Sequence, residues 1–279
     1  MNRHMLKTLI VPAIVTLNLF SQIHRASSAE IQWLGHATTR IVSDAGKVIL
    51  IDPYLTTNPK APRKYRDLRA LGRLDLILVT HGHGDHSADL VKVAELTGAP
   101  VVGPYEFINN LVIMGALEAT SVISLGKGGY VQPIGRDIKV HMVPAEHSSS
   151  VDLRALGLEG WLPKPLRHIA GGEAAGYVIE LENGFTIYHT GDTGVFGDMA
   201  LIRQMFAPDL VLICIGGTFT MGPRAAAYAV NKLIKPKYAI PIHYGTYPVI
   251  NRTPKEFIEA IGDSSVKVTV MQPGETVRF

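Results

Sequence analysis

The sequence predicts a layered α/β fold, with sheets packed together and helices outside them. Three observations carry this expectation. Short apolar runs rich in Val and Ile recur along the chain, bounded by Gly, Pro, Asp or Asn, and read as strands. Fewer segments between them show the spacing of amphipathic helices. Histidines and aspartates collect where several apolar runs end, which is where α/β folds gather ligands.

The first segment stands outside that fold. Basic Arg3 and Lys7, the apolar stretch Thr8–Phe20 and the small residues Ala26-Ser27-Ser28-Ala29 follow the order of a cleaved secretory signal peptide. The stretch is shorter than the roughly 20 residues of a bilayer span. The expectation is a signal peptide over residues 1–29 and a periplasmic or secreted domain over 30–279, without a stable membrane span after cleavage. The full chain has 279 residues, with 27 basic and 24 acidic ones. Arg3, Lys7 and Arg25 fall in the leader, so the remainder carries 24 of each sign. That balance gives no electrostatic footprint for a nucleic-acid partner.

From Glu30 onward, strands are expected at Ile31–Leu34, Val48–Ile51, Leu76–Val79, Ile138–Val143, Tyr177–Leu181, Thr186–Tyr188, Leu210–Ile215, Tyr238–Ile242 and Val266–Met271. Helices are expected at Ser87–Leu96, Tyr105–Met114, Asp198–Met205, Arg224–Ile234 and Pro254–Ile261. Ser87 and Thr253 read as N-caps and Gly98 as a stop. Long loops are expected at Thr56–Arg73 and Ser148–Gly172, and loops of such length are often functional. The sole cysteine, Cys214, sits in an apolar run and reads as a core thiol.

The densest chemistry is His81-Gly82-His83-Gly84-Asp85-His86, directly after the strand Leu76–Val79. In extended chain, residues i and i+2 face the same way, so His81 and His83 can chelate one ion. Gly82 and Gly84 lack a Cβ, and a tight turn there would aim Asp85 and His86 at a second. Imidazole and carboxylate suit Zn²⁺, and also Mn²⁺ or Fe²⁺. Other strand ends lead to His147, to His189-Thr190-Gly191-Asp192 and to His243, offering further ligands.

These motifs resemble the metallo-β-lactamase superfamily of hydrolases. Trp33-Leu34-Gly35-His36-Ala37-Thr38, Ile51-Asp52-Pro53, Ala145-Glu146-His147-Ser148-Ser149, Ile215-Gly216-Gly217-Thr218-Phe219-Thr220-Met221 and Ile240-Pro241-Ile242-His243-Tyr244-Gly245-Thr246 are similar to a branch of metal-dependent hydrolases. That branch is related to ascorbate-6-phosphate lactonases and the N-acylphosphatidylethanolamine phospholipase D group. The resemblance implies a four-layered αβ/βα sandwich with the site at one edge of two sheets. It implies two divalent metal ions, Zn²⁺ foremost: His81, His83 and His147 on the first, Asp85, His86 and His243 on the second, and Asp192 between them.

The reaction expected is hydrolysis by metal-activated hydroxide of an ester, lactone or phosphodiester-type substrate. A positive excess at the centre favours an anionic small molecule or lipid-like compound. Asp85 and Asp192 are the candidate catalytic carboxylates. His36 and His189 are read either as supports or substrate contacts at the site, or as structural histidines. Asp52 is expected to hold the metal loop by hydrogen bonds and His141 to be structural, with His168 in the second loop a weaker candidate for a substrate contact. In the second loop, Leu153, Leu156, Leu158, Trp161 and Leu162 form a lid or pack the loop down. The first-loop cations Lys60, Arg63, Lys64, Arg66, Arg69 and Arg73 form a solvated face or attract anions. Two other classes share parts of the pattern, a mononuclear-iron oxidoreductase resembling sulfur dioxygenases and a non-catalytic metal-binding protein. Oligomeric state is not legible.

Overall fold

The apolar runs pair into two mixed seven-stranded sheets. A computed structural model describes residues 29–158, 160 and 167–279. The expected signal peptide apart from Ala29, and Trp161 and Leu162, lie outside the described residues. Strands β1 (Glu30–Trp33), β2 (Thr39–Val42), β3 (Val48–Ile51), β4 (Leu76–Leu78), β5 (Val101–Pro104) and β6 (Val122–Leu125) come first. Then follow β7 (Tyr130–Val131), β8 (Lys139–Pro144), a hairpin of β9 (Ser150–Asp152) and β10 (His168–Ala170), β11 (Ala175–Glu180) and β12 (Thr186–His189). The last are β13 (Leu210–Cys214), β14 (Tyr238–Ile242), β15 (Lys267–Val268) and β16 (Thr276–Arg278). One sheet runs β16-β1-β2-β3-β4-β5-β6 and the other β15-β14-β13-β12-β11-β8-β7.

Three apolar clusters explain the layering. Ile41, Ile49, Ile51, Leu76 and Leu78 of the first sheet meet Val140, Met142, Tyr177, Ile187 and Leu212 of the second. On the first sheet's outer face, Leu50, Ile77 and Val101 cover Leu90 and Val93 of helix α2 (Leu90–Thr97) and Phe107 and Leu111 of α3 (Tyr105–Ile113). On the second sheet's outer face, Val178, Val211 and Ile213 pack against Met199 of α4 (Met199–Phe206), Ala226 of α5 (Pro223–Tyr228) and Phe257 of α6 (Pro254–Ile261). Because each sheet is apolar on both faces, it must be covered twice, which gives four layers.

Several expectations need correction. The helix expected from Ser87 is split into α1 (Gly84–Ser87) and α2. Ser87 is not a cap: its hydroxyl donates back to the carbonyls of Gly82 and His83. The expected helix Arg224–Ile234 starts at Pro223 as α5 and continues as a π-helical turn over Ala229–Ile234. The expected strand Val266–Met271 narrows to Lys267–Val268. Neither long loop is structureless: Thr56–Arg73 holds two 3₁₀ turns and Ser148–Gly172 holds the β9–β10 hairpin. Strand β5 was hidden because its Gly103-Pro104 reads as punctuation. Gly98 does end α2 in the left-handed region, and Thr253 caps α6 with a capping box.

At one edge the sheets are tied by buried hydrogen bonds. The Ala175 amide donates to the Thr80 carbonyl at 3.0 Å, and the His243 amide to the His36 carbonyl at 2.8 Å. The Tyr177 hydroxyl crosses the core to donate to the Val79 carbonyl at 2.7 Å. Removing it would strand a buried acceptor, at a cost of about 1–3 kcal/mol. Tyr177→Phe should therefore lower stability by that amount in urea unfolding. An unchanged midpoint would mean that this tie contributes nothing.

Candidate metal centre

The tied edge is where the histidines and aspartates meet. The chain leaves β4, bends at Gly82, is extended at His83 and then enters the single turn of α1. His81 Nε2 and His83 Nδ1 thereby come within 3.0 Å of each other, and His147 completes a cluster with them. The turn of α1 carries Asp85 and His86 to a second cluster, with His36 after β1 and His243 after β14. Asp192, after β12, stands between. Its Oδ2 is 3.0 Å from His243 Nε2, 3.3 Å from His86 Nε2 and 3.6 Å from His147 Nε2. The loop bearing His147 is locked to that of Asp192, since the Glu146 amide donates to the Thr193 hydroxyl and the Gly194 amide to the Glu146 carbonyl.

The donor set fits metal ions. His86 Nε2, both ring nitrogens of His243 and Asp192 Oδ1 are buried without a hydrogen-bond partner among the described residues. Native proteins rarely leave such groups unpaired. Neighbouring hydrogen bonds also turn lone pairs inward. Asp52 accepts from the Thr80 amide and hydroxyl, at 2.7 and 2.8 Å, and from His86 Nδ1 at 2.8 Å. The Thr80 hydroxyl, its proton given to Asp52, accepts from His81 Nδ1 at 3.0 Å. Both imidazoles thus aim Nε2 at the centre; His81 presents it as an acceptor, and His86 would do so on giving up its Nε2 proton to a bound metal ion.

Burial holds His81 well below the ordinary imidazole range, reinforced by His86; it also lowers His83 and His147. His86 differs: burial lowers it, but Asp192 and Asp52 outweigh burial and raise it well above that range. Burial opposes the charge of Asp192, yet His243 and His86 hold its carboxyl well below the usual range.

Comparison with known proteins shows the family and the fold. The pattern of a Beta-lactamase superfamily domain matches residues 47–244. A UPF0173 metal-dependent hydrolase of Cupriavidus taiwanensis is 51% identical over 91% of this chain and 88% of its own length. One from Thermodesulfovibrio yellowstonii is 39% identical over 90% and 92%. The chain belongs to the UPF0173 metal-dependent hydrolases of the metallo-β-lactamase superfamily. The metallo hydrolase Igni18 of Ignicoccus hospitalis superposes with a TM-score of 0.76 at 30% identity, over 91% of this chain and 99% of that one. An isothiocyanate hydrolase from Delia radicum gut bacteria shares the fold, with a TM-score of 0.65 at 19% identity over 90% and 99%.

The hydrolase holds three residues of this edge in left-handed backbone: His36 at φ 56°, Asp52 at 51° and His243 at 54°. Non-glycine residues there cost of order 1–3 kcal/mol each and concentrate at functional sites. His36 is fully committed: Nδ1 is 2.9 Å from the Thr246 hydroxyl and Nε2 is 3.0 Å from Asp85 Oδ2. It orients Asp85, and burial pulls its pKa down to about 4, with His243 acting the same way. His189 is satisfied, paired with the Ala37 carbonyl and accepting from the Gly191 amide, so it shapes the turn before Asp192. The role expected of Gly82 and Gly84 needs correction. Neither has positive φ; a Cβ would lie 2.8 Å from the Ser150 carbonyl oxygen at Gly82 and 2.8 Å from Ala155 Cβ at Gly84. They admit the β9–β10 hairpin against the metal loop.

A cleft of about 590 Å³ opens over His83 and Asp85, walled by Tyr54, Tyr247, Arg154 and His168. The two tyrosine hydroxyls touch each other. Both tyrosines escaped sequence reasoning, although Tyr247 directly follows the His243-Tyr244-Gly245-Thr246 run. His168 does reach the cleft wall. His141 faces Glu180 at 2.5 Å, far along β8 from this edge. Thr218 is exposed and donates to the Val249 carbonyl. Cys214 is buried, and burial raises its thiol to about 11.

Asp52 binds no donor cluster but fixes two of their members. Asp52→Asn should weaken metal affinity by about 10–100-fold while the fold persists. Competitive chelator titration alongside circular dichroism checks this; wild-type affinity would contradict the orienting role.

Proposed function

We propose that this hydrolase works through two divalent ions, with zinc the best match to the donors and manganese or iron(II) also suited. His81, His83 and His147 would hold one, Asp85, His86 and His243 the other, and Asp192 would span both. The supporting observation is the approach of Nε2 atoms from both clusters to the single oxygen Oδ2 of Asp192. When bound, such ions supply Lewis acidity that brings the pKa of water near neutrality and stabilises charge on a displaced oxygen.

The chain's own groups set the rest. Asp85 is the carboxylate of this set open to the cleft, its side chain 35% exposed against 3% for Asp192. His36 fixes its Oδ2, leaving Oδ1 to orient the attacking water and take its proton. The substrate is an ester, lactone or phosphodiester bearing negative charge. Two divalent ions bring four positive charges against one negative charge each from Asp85 and Asp192, so the centre keeps a positive excess. Small or lipid-like molecules suit the cleft. Export is part of the proposal, resting on the basic, apolar and small-residue order of residues 1–29.

A panel of lactone, phosphodiester and β-lactam compounds, with added zinc or manganese, tests this reading. Asp192→Ala should lower hydrolysis of any turned-over compound by at least about a hundredfold and reduce bound metal. Full activity of that variant without metal would overturn the mechanism.

A further inference from the structure

We infer that Arg154 is a specificity-determining residue, which receives a second anionic group of an elongated substrate whose reacting end lies at Asp85. The inference rests on the hydrolytic reading above. The cleft over His83 and Asp85 does not end at the hairpin. A second chamber of about 1210 Å³ adjoins it, and the two share Thr56, Ala88, Arg154 and Ala155 in their walls. Arg154 therefore stands where one space passes into the other.

The charges along this route are unequally spent. Arg167, on the cleft wall, is tied to Asp152 at 2.9 Å. In the second chamber, Arg69 is tied to Asp67 at 3.0 Å. Asp89 accepts from the amides of Leu55 and Thr56, which hold its carboxylate in place without cancelling its charge. Arg154 and Lys92 have no acidic partner among the described residues, and Arg66 touches only the Pro59 carbonyl. Glu95 and Asp89 are the acids of that wall without an ion pair among the described residues. Three cations against two acids leave a positive excess of one, and of the three Arg154 alone also lines the cleft over Asp85. Between the cations the wall is apolar at Leu68, Leu96 and Leu156. Guanidinium gives strong, charge-assisted hydrogen bonds to phosphate and carboxylate. The arrangement suits an anionic head separated from the scissile bond by an alkyl spacer. Of the first-loop cations only Arg66 and Arg69 line this route; Lys60, Arg63, Lys64 and Arg73 line neither space.

Isothermal titration of the zinc-loaded protein with hexyl phosphate and with the bisphosphates of propanediol and hexanediol tests the inference. At least one bisphosphate should bind about tenfold more tightly than hexyl phosphate. Arg154→Ala should cut that advantage to about the twofold statistical factor of two equivalent ends, with hexyl phosphate unaffected. Arg154→Lys should recover part of it, because a cation is restored without the bidentate fork. Bisphosphates that bind no better than hexyl phosphate, an advantage that survives Arg154→Ala, or no binding of any probe would each overturn the inference. Failure of the hydrolytic reading shows separately, as hexyl phosphate binding that is indifferent to metal removal.

Discussion

The buried carboxylate of Asp192 is the constraint around which the rest is arranged. Its side chain is 3% exposed, and an isolated charge in such a place is costly unless it is paired or bound to metal. Three imidazoles from three separate strand ends surround its Oδ2, and two of them, on His86 and His243, carry buried nitrogens without hydrogen bonds. A set of lone pairs turned toward one another is poor protein chemistry and good ligand chemistry. Cations resolve both difficulties, which links the family's metal dependence to the packing of this particular edge.

That edge requires both sheets. His36, Asp52 and the His81–His86 loop come from the first, whereas His147, Asp192 and His243 come from the second. The ties from Ala175 to Thr80 and from His243 to His36 set the separation of the sheets where it matters. The left-handed backbone of His36, Asp52 and His243 is carried by the four-layered core, whose three apolar clusters over-determine the strand positions. Stability and site geometry are therefore one problem, since loosening the inter-sheet core would move the two donor clusters relative to each other.

Much of this was legible in the residues. Strands apolar at every position, such as Val48–Ile51 and Leu210–Cys214, announce sheets covered on both faces. The His81–His86 motif and the histidines or aspartates after later strands announce where the sheet ends converge. Less legible was whatever depends on distant partners. Thr39–Val42 became a strand because β1 and β3 flank it, not because its own pattern demands it. The glycines of the metal loop looked like turn formers; they are space for a hairpin more than sixty residues away in sequence, which no local pattern can reveal. Tyr54, Tyr247 and Arg154 meet at one cleft only after folding, so their shared position leaves no spacing to read.

The claim at the centre is that two ions share Asp192. Anomalous X-ray scattering from crystals of the metal-loaded protein, recorded at the absorption edge of the bound element, measures it directly. The account predicts two peaks per chain, one among His81, His83 and His147, the other among Asp85, His86 and His243, with Asp192 in contact with both. A single peak per chain, or ions bound away from Asp192, would contradict it.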